Sequence, residues 1–352
     1  LFPYTTLFRS QGSDVAAHSA GVLDIRTNIL ADTDALYLTA IDKYGHELWR
    51  WTFPVNKLNQ QTEQLSPLSS RPTYTETEND LTVKANKRTF IFSKKDGQLK
   101  EVSVDNRKIS FANGPRFIGA RRADRSLDQF YNHDDEKAKE KDRTYSEFPD
   151  AAVFTKLDVK QDGGDLIVTA NYKLGNLDKA QWTINPSGDL ALDYTYNFSG
   201  VVDLMGIRFD YPEDQVISKR WLGAGPYRVW QNRIHGTQYD VWENDYNDPI
   251  PGETFTYPEF KGYFGDVSWM NIQTKEGTIS LTNETPDAYI GVYQPRDGRD
   301  RLLYTLPESG ISVLNVIPPV RNKVNSTDLC GPSSQPKWVN GPQTGRVIFR
   351  FM

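Results

Sequence analysis

Apolar and polar residues alternate with a period of two along most of the chain, the spacing of strands that bury one face. Residues 35–41 read ALYLTAI and residues 47–53 read ELWRWTF, joined by the turn signal Asp42-Lys43-Tyr44-Gly45, and residues 22–27 alternate in the same way. Three short strands are too few to close a sandwich. Residues 11–55 are therefore expected to be the last strands of a truncated β domain. The polar, Ser- and Pro-containing stretch 56–75 predicts a linker. From Glu76 onward strands are predicted at 81–85, 88–92, 99–104, 166–172, 181–184, 190–198, 206–211, 268–273, 278–282, 288–293, 310–316 and 346–349. Turn signals such as Asp96-Gly97, Asp105-Asn106 and Asn185-Pro186-Ser187-Gly188-Asp189 separate them. No stretch of ten residues carries a convincing 3.6-residue apolar period, and the charged run 133–143 predicts at most a short exposed helix or a mobile loop. The fold class that follows is all-β, with one large antiparallel β-sandwich over 76–352.

Charge and composition narrow the partners more than the fold. Lys and Arg number 41 against 46 Asp and Glu, a net charge of −5, and no basic run stands out. Nucleic acid is not an expected partner. Cys330 is the single cysteine, which excludes an internal disulfide and a cysteine-based zinc site. No apolar run approaches the ~20 residues of a membrane helix, so no membrane partner is expected. The opening Leu1-Phe2-Pro3-Tyr4-Thr5-Thr6-Leu7-Phe8-Arg9-Ser10 lacks the basic start and apolar stretch of a targeting segment. It resembles the translation of a sequencing-library adaptor. On that reading residues 1–10 are an artefact, the chain is a fragment, and its compartment stays open between periplasmic, secreted and cytoplasmic.

Candidate chemistry is sparse. Glu253, Glu259 and Asp266 fall in one loop-rich stretch and Asp134, Asp135 and Glu136 in another, where acids are ordinarily solvated turn residues. His18, His46, His133 and His235 lie in no metal-ligand spacing, and no nucleophile triad can be picked out. No catalytic or metal residue is therefore assigned. Gly223 and Gly225 are followed by aromatic and basic residues, unlike a phosphate cradle. Aromatics are the informative feature: Trp221, Tyr227, Trp230, Tyr239, Trp242, Tyr246, Phe255, Tyr257, Phe260, Tyr263, Phe264 and Trp269 crowd together among Arg228, Gln231, Asn232, Arg233, Asn244, Asp245 and Asn247. Rings that stack on sugar C–H faces, beside amides and carboxylates that bond hydroxyls, suit a carbohydrate site. The same rings could instead fill the core of a wide sandwich.

In this stretch Trp221-Leu222-Gly223-Ala224-Gly225-Pro226-Tyr227-Arg228-Val229-Trp230-Gln231-Asn232-Arg233 resembles a W-x-G-x-G-P-x-x-x-Y-x-D-R segment, with Trp for Tyr and Asn for Asp. Pro258-Glu259-Phe260-Lys261-Gly262-Tyr263-Phe264-Gly265-Asp266-Val267-Ser268-Trp269 resembles P-Q-E-x-G-x-x-x-D-V-R-W. Gly206-Ile207-Arg208, the run 92–104 and Gly114-Pro115-Arg116 supply three further landmarks in order. Both segments are those of the C-terminal region of glycoside hydrolase family 2 β-galactosidases. The W-R-A-P-T-D-N-D run of that family is replaced here by Gly119-Ala120-Arg121-Arg122-Ala123-Asp124-Arg125-Ser126.

The resemblance implies a galactose-mutarotase-like supersandwich preceded by the tail of an immunoglobulin-like module. It also implies that the catalytic glutamates sit on a (β/α)₈ barrel in cis, absent from this chain, so that no cofactor binds here and any Mg²⁺ or Na⁺ belongs to the barrel. This chain would bind a β-galactoside-type glycan and shape the cleft, with Trp230, Arg233, Trp242, Glu259 and Trp338 as candidate carbohydrate contacts. Alone it is expected to be inactive and poorly soluble; the parent enzyme is expected to assemble as a homo-oligomer. Two alternatives stand beside this. One is a free-standing carbohydrate-binding or structural module. The other is an aldose epimerase using His133 or His235 with Glu259 or Asp266.

Overall fold

The computed structural model describes residues 15–23, 33–55, 70–122, 145–245, 262–292, 296–297, 304–319 and 331–352. The chain divides into two compact units, Leu1–Thr33 and Asp34–Met352. In the first unit the adaptor-like residues 1–10 and residues 24–27 of the predicted strand lie outside the described residues, while Val22 and Leu23 are exposed and in no strand. The second unit holds all the described strands, and among the described residues no α-helix occurs, only short 3-10 turns at Glu213–Gln215 and Pro332–Ser334. Among the described residues no helix is long and apolar enough to cross a membrane.

Strands β1 (Ala35–Ile41) and β2 (Glu47–Pro54) form an antiparallel hairpin. Its turn closes because the Asp42 carboxylate accepts the backbone N–H groups of Tyr44 and His46, each at 2.8 Å. Register pairs Leu36 with Phe53, Leu38 with Trp51 and Ala40 with Trp49, which puts these apolar side chains on one face. That face is open, with Trp49, Trp51 and Phe53 about half exposed. On the opposite face the Tyr37 hydroxyl donates to the buried Asp240 carboxylate, and Arg50 lies over the Tyr37 ring and 4.0 Å from the same carboxylate. Burial and the Asp240 charge hold the Tyr37 phenol well above its ordinary range.

The sandwich follows from β3 (Thr73–Glu76), β4 (Asp80–Ala85), β5 (Arg88–Ser93), β6 (Leu99–Val104), β7 (Arg107–Ile109), β8 (Ala112–Arg122) and β9 (Tyr145–Glu147). Next come β10 (Val153–Asp162), β11 (Asp165–Lys173), β12 (Leu177–Ile184), β13 (Leu190–Val202), β14 (Leu204–Asp210), β15 (Val216–Gly225) and β16 (Gln238–Asn244). The remainder are β17 (Trp269–Thr274), β18 (Gly277–Asn283), β19 (Tyr289–Gly291), β20 (Arg296–Asp297), β21 (Tyr304–Thr305), β22 (Ile311–Val316) and β23 (Lys337–Phe351). One sheet runs β10-β11-β12-β13-β23-β18-β17-β15-β16; the other runs β19-β22-β14-β8-β6-β5-β4-β3, with β7 on β6 and β9 on β8. Every paired strand is antiparallel, the large antiparallel sandwich expected.

The two sheets meet through the inward positions of their alternating patterns. Leu81 and Val83 of β4 and Phe90 and Phe92 of β5 face Leu166, Val168, Trp182 and Leu192 of the other sheet, all without exposed surface. Rings make the contact: Phe92 lies 6.0 Å from Trp182, and Phe111 lies 4.6 Å from Phe209 and 5.0 Å from Phe349. Arg88, 97% buried, bridges the layers by donating from Nε to the Phe351 carbonyl at 2.6 Å and from a terminal nitrogen to the Ser187 carbonyl at 2.7 Å.

Several boundaries differ from the predicted ones. The sandwich begins at Thr73, inside the stretch read as linker, because β3 pairs with β4. No strand is predicted for β7, β8, β9, β10, β15, β16, β20 or β21, and the strand predicted at 346–349 extends back to Lys337 as a 15-residue strand paired with β13 from Lys337 to Phe349. The region predicted at 288–293 supplies only the three residues of β19. The charged run 133–143 lies outside the described residues.

Candidate functional site

The W-x-G-x-G segment is β15, and its glycines are required by close approach. A Cβ on Gly223 would sit 3.0 Å from the Gly265 carbonyl oxygen and the Val267 Cα, and one on Gly225 would sit 2.4 Å from the Trp242 ring. The backbone of 262–267 thus lies directly on β15, held by Ala224 N–H to Gly265 O at 2.9 Å. The chain leaving Gly225-Pro226 is tied to the same segment: Val229 and Tyr263 exchange backbone hydrogen bonds of 2.7 and 2.9 Å. Beneath it lies a second small core on the outer face of the ten-stranded sheet, where Val229, Trp230 and Tyr263 pack with Ile118, Ala120, Leu204, Leu314 and Ile317.

This arrangement corrects the reading of the aromatic cluster. Trp230, expected to face sugar, is completely buried, edge-on to Tyr263 at 5.8 Å. Trp221, Tyr263, Phe264 and Trp269 are likewise buried. Trp242 is half-buried; its indole lies against Gly225 and donates to the Gln238 carbonyl at 3.0 Å, so it serves as a packing residue on β16. Tyr227, by contrast, is 62% exposed. Arg233 is exposed at the end of a tight turn whose N–H bonds the Trp230 carbonyl at 2.8 Å. Glu259, with Glu253, His133, Tyr246, Phe255, Tyr257, Phe260 and Cys330, lies outside the described residues.

Trp338 is the large exposed ring of this region, at 70% exposure. It stands near the start of β23, paired with Val201, in a ribbon that β18 does not reach, because β18 joins β23 only from Val347 onward. The turn that launches this strand is gripped from residues 231 and 232. The Gln231 amide nitrogen donates to the carbonyls of Ser333 at 3.0 Å and Gln335 at 2.7 Å. The Asn232 amide donates to the Ser334 hydroxyl at 3.2 Å. The structure therefore ties the segment before Arg233 to the turn before Trp338 through Gln231 and Asn232, two polar residues of the aromatic cluster that the sequence offers as sugar-bonding amides and that here hold a turn. Spacing along the chain carries no sign of a contact between residues about a hundred positions apart.

Of the acid–base candidates only His235 and Asp266 are among the described residues, and they do not meet. His235 is exposed, Asp266 is exposed in a turn with φ of 49°, and no hydrogen bond joins them. Among the described residues no group of three or more His, Cys, Asp or Glu could hold a metal ion. Asp266 does border a cleft of about 640 Å³ together with Thr52, Tyr239, Ser268 and Asp287. There the Tyr239 hydroxyl bonds Ser268 at 2.6 Å, and burial, with the Asp266 charge, raises its phenol above the ordinary value.

A family model described as the beta galactosidase small chain matches residues 84–318, two thirds of the chain. Among solved structures, galactose 1-epimerase from Lactobacillus acidophilus aligns at 10% identity and a TM-score of 0.42, covering 80% of this chain and 99% of that one. A GalM/aldose epimerase homologue from C. elegans aligns at 8% identity and a TM-score of 0.38, again over 80% and 99%. A search of curated proteins finds no match.

Proposed function

Because the chain belongs to the β-galactosidase small chain family, we propose that it is the carbohydrate-facing sandwich of a glycoside hydrolase of family 2 type, acting on terminal β-galactosides. The observation that carries the reading is Trp338, an indole 70% exposed on a ribbon anchored by Gln231 and Asn232. An exposed ring held in place is suited to stacking on a sugar face. The hydrolytic step in such an enzyme is double displacement through a glycosyl-enzyme intermediate. Its two carboxylates are assigned to a barrel joined in cis, and this chain positions the glycan and excludes water beside them. Any Mg²⁺ or Na⁺ is assigned to that barrel, and no step is routed through a metal here.

The hairpin β1–β2 fits the same proposal as the last strand pair of an immunoglobulin-like module. Its open face of Leu36, Leu38, Trp49, Trp51 and Phe53 has the composition of a strand face that packs on a second sheet.

Reading the gene upstream of this chain, and expressing the chain joined to any barrel domain encoded there, tests the proposal. Hydrolysis of a nitrophenyl β-D-galactoside is expected from the joined protein and not from the 352-residue chain alone. Trp338→Ala in the joined protein should raise KM by about two- to tenfold, the loss of one stacked ring. A gene that begins near residue 11 with no barrel beside it, or hydrolysis by the chain alone, refutes the proposal.

A further inference from the structure

We infer that Gln231 is a positioning residue for the carbohydrate surface: its amide fixes the turn at 332–335 and so determines where the Trp338 indole stands. The inference rests on the reading of Trp338 as a sugar contact only for its functional consequence; the positioning itself is a statement about this chain.

Three observations converge. The Gln231 side chain is 93% buried and donates twice, to the carbonyls of Ser333 and Gln335, which flank the last residue of the 3-10 turn. Its own backbone N–H donates to Pro318 O at 3.0 Å, so the gripping residue is itself held. And its amide oxygen is buried with no donor facing it. An orphaned buried acceptor is unfavourable, whereas an apolar residue of similar length would fill the space without that penalty. What the amide contributes beyond packing is its pair of N–H donors, and both go to the turn.

The consequence for Trp338 comes from topology. Among the described residues β23 has a strand partner on one side only from Lys337 to Gly345, β13, because β18 begins pairing at Val347. An isolated two-stranded ribbon is weakly ordered. The turn at 332–335 is the second restraint on Trp338, three residues from the Gln335 carbonyl that Gln231 holds.

The test uses the full chain, with Gln231→Met, which keeps length but removes both donors, and Asn232→Ala, which loosens the same turn from its more exposed side. The indole N–H resonance of Trp338, assigned with Trp338→Phe, reports its placement; methyl β-D-galactopyranoside is the probe for binding. Both variants are expected to shift or broaden that resonance while the other indole resonances and the circular dichroism stay as in the parent. Affinity for the probe is expected to fall about two- to tenfold, the entropy of re-ordering one ring. An unmoved Trp338 resonance in both variants overturns the inference. If Trp338→Ala leaves probe binding intact, the sugar reading of Trp338 fails, and the resonance alone then decides whether Gln231 positions it.

Discussion

Replacing Arg88 with Met should destabilise the sandwich by about 2–4 kcal/mol. The guanidinium is 97% buried and reaches from β5 in one sheet to the Phe351 carbonyl in the other and to the Ser187 carbonyl in the β12–β13 turn. Each such charge-assisted bond contributes about 1.5–3 kcal/mol, so the pair would suggest about 3–6 kcal/mol. Met retains much of the aliphatic packing and relieves the desolvation of a buried cation, which offsets part of that loss. The two stranded carbonyls work the other way. Urea unfolding followed by tryptophan fluorescence measures the change, with an unchanged m-value showing that the same surface is exposed. A loss below about 0.5 kcal/mol would show that water replaces the arginine at no expense, and the bridge would be incidental. A companion change reaches the same joint from the other side. Gly188 has φ of 82°, and a Cβ there would fall 2.8 Å from the Arg88 Cδ, so Gly188→Ala should lower stability together with the Arg88 bonds.

Three further outcomes follow from geometry. Asp189 is pulled upward by burial, but the hydrogen bonds and charge of Arg350, the Asn185 amide and Arg88 bring it below its ordinary 3.8. Its contribution is present above that value and is lost as pH falls through the lower folded value, so acid unfolding of Asp189→Asn below about pH 4 should be shallower than that of the parent. Gly225→Ala should cost about 1–3 kcal/mol by thermal denaturation, since the new methyl would strike the Trp242 ring; an unchanged melting point would mean that β16 shifts freely. Trp49→Ser with Trp51→Ser should raise the soluble yield of the chain and reduce self-association in light scattering, with the melting point of the sandwich unaffected; an unaltered yield would place the sticky surface elsewhere.

Legibility tracked one-sided burial. Strands such as β4, β5, β11 and β13 bury alternate residues, and their period of two is plain. β15 is hidden because its second half, Trp221 to Gly225, is buried on both faces under the 262–267 segment, leaving no alternation to read. The first half of β23 reads as a loop because of Gly341, Pro342 and Gly345, yet Pro342 is tolerated where the strand has a neighbour on one side only. The aromatic cluster stays open in the sequence for a different reason: a ring suited to a sugar face is equally suited to a core, and only position in three dimensions separates Trp230 from Tyr227. Trp338 came from family resemblance and not from local pattern, and Gln231 was recognisable only once the turn at 332–335 lay against it.

The place of β23 also governs the order in which the molecule can be completed. It lies between β13 and β18, so the four strands β10 to β13 and the four strands β15 to β18 are two separate half-sheets until it arrives. During synthesis every other strand of both sheets emerges first, and none of them can bridge the gap. The half-sheets must wait side by side with two open edges facing each other, edges that attract other unpaired strands. A ribosome that stalls before residue 337, or a protease that removes that last segment, would leave not a slightly shorter sandwich but one split along its middle.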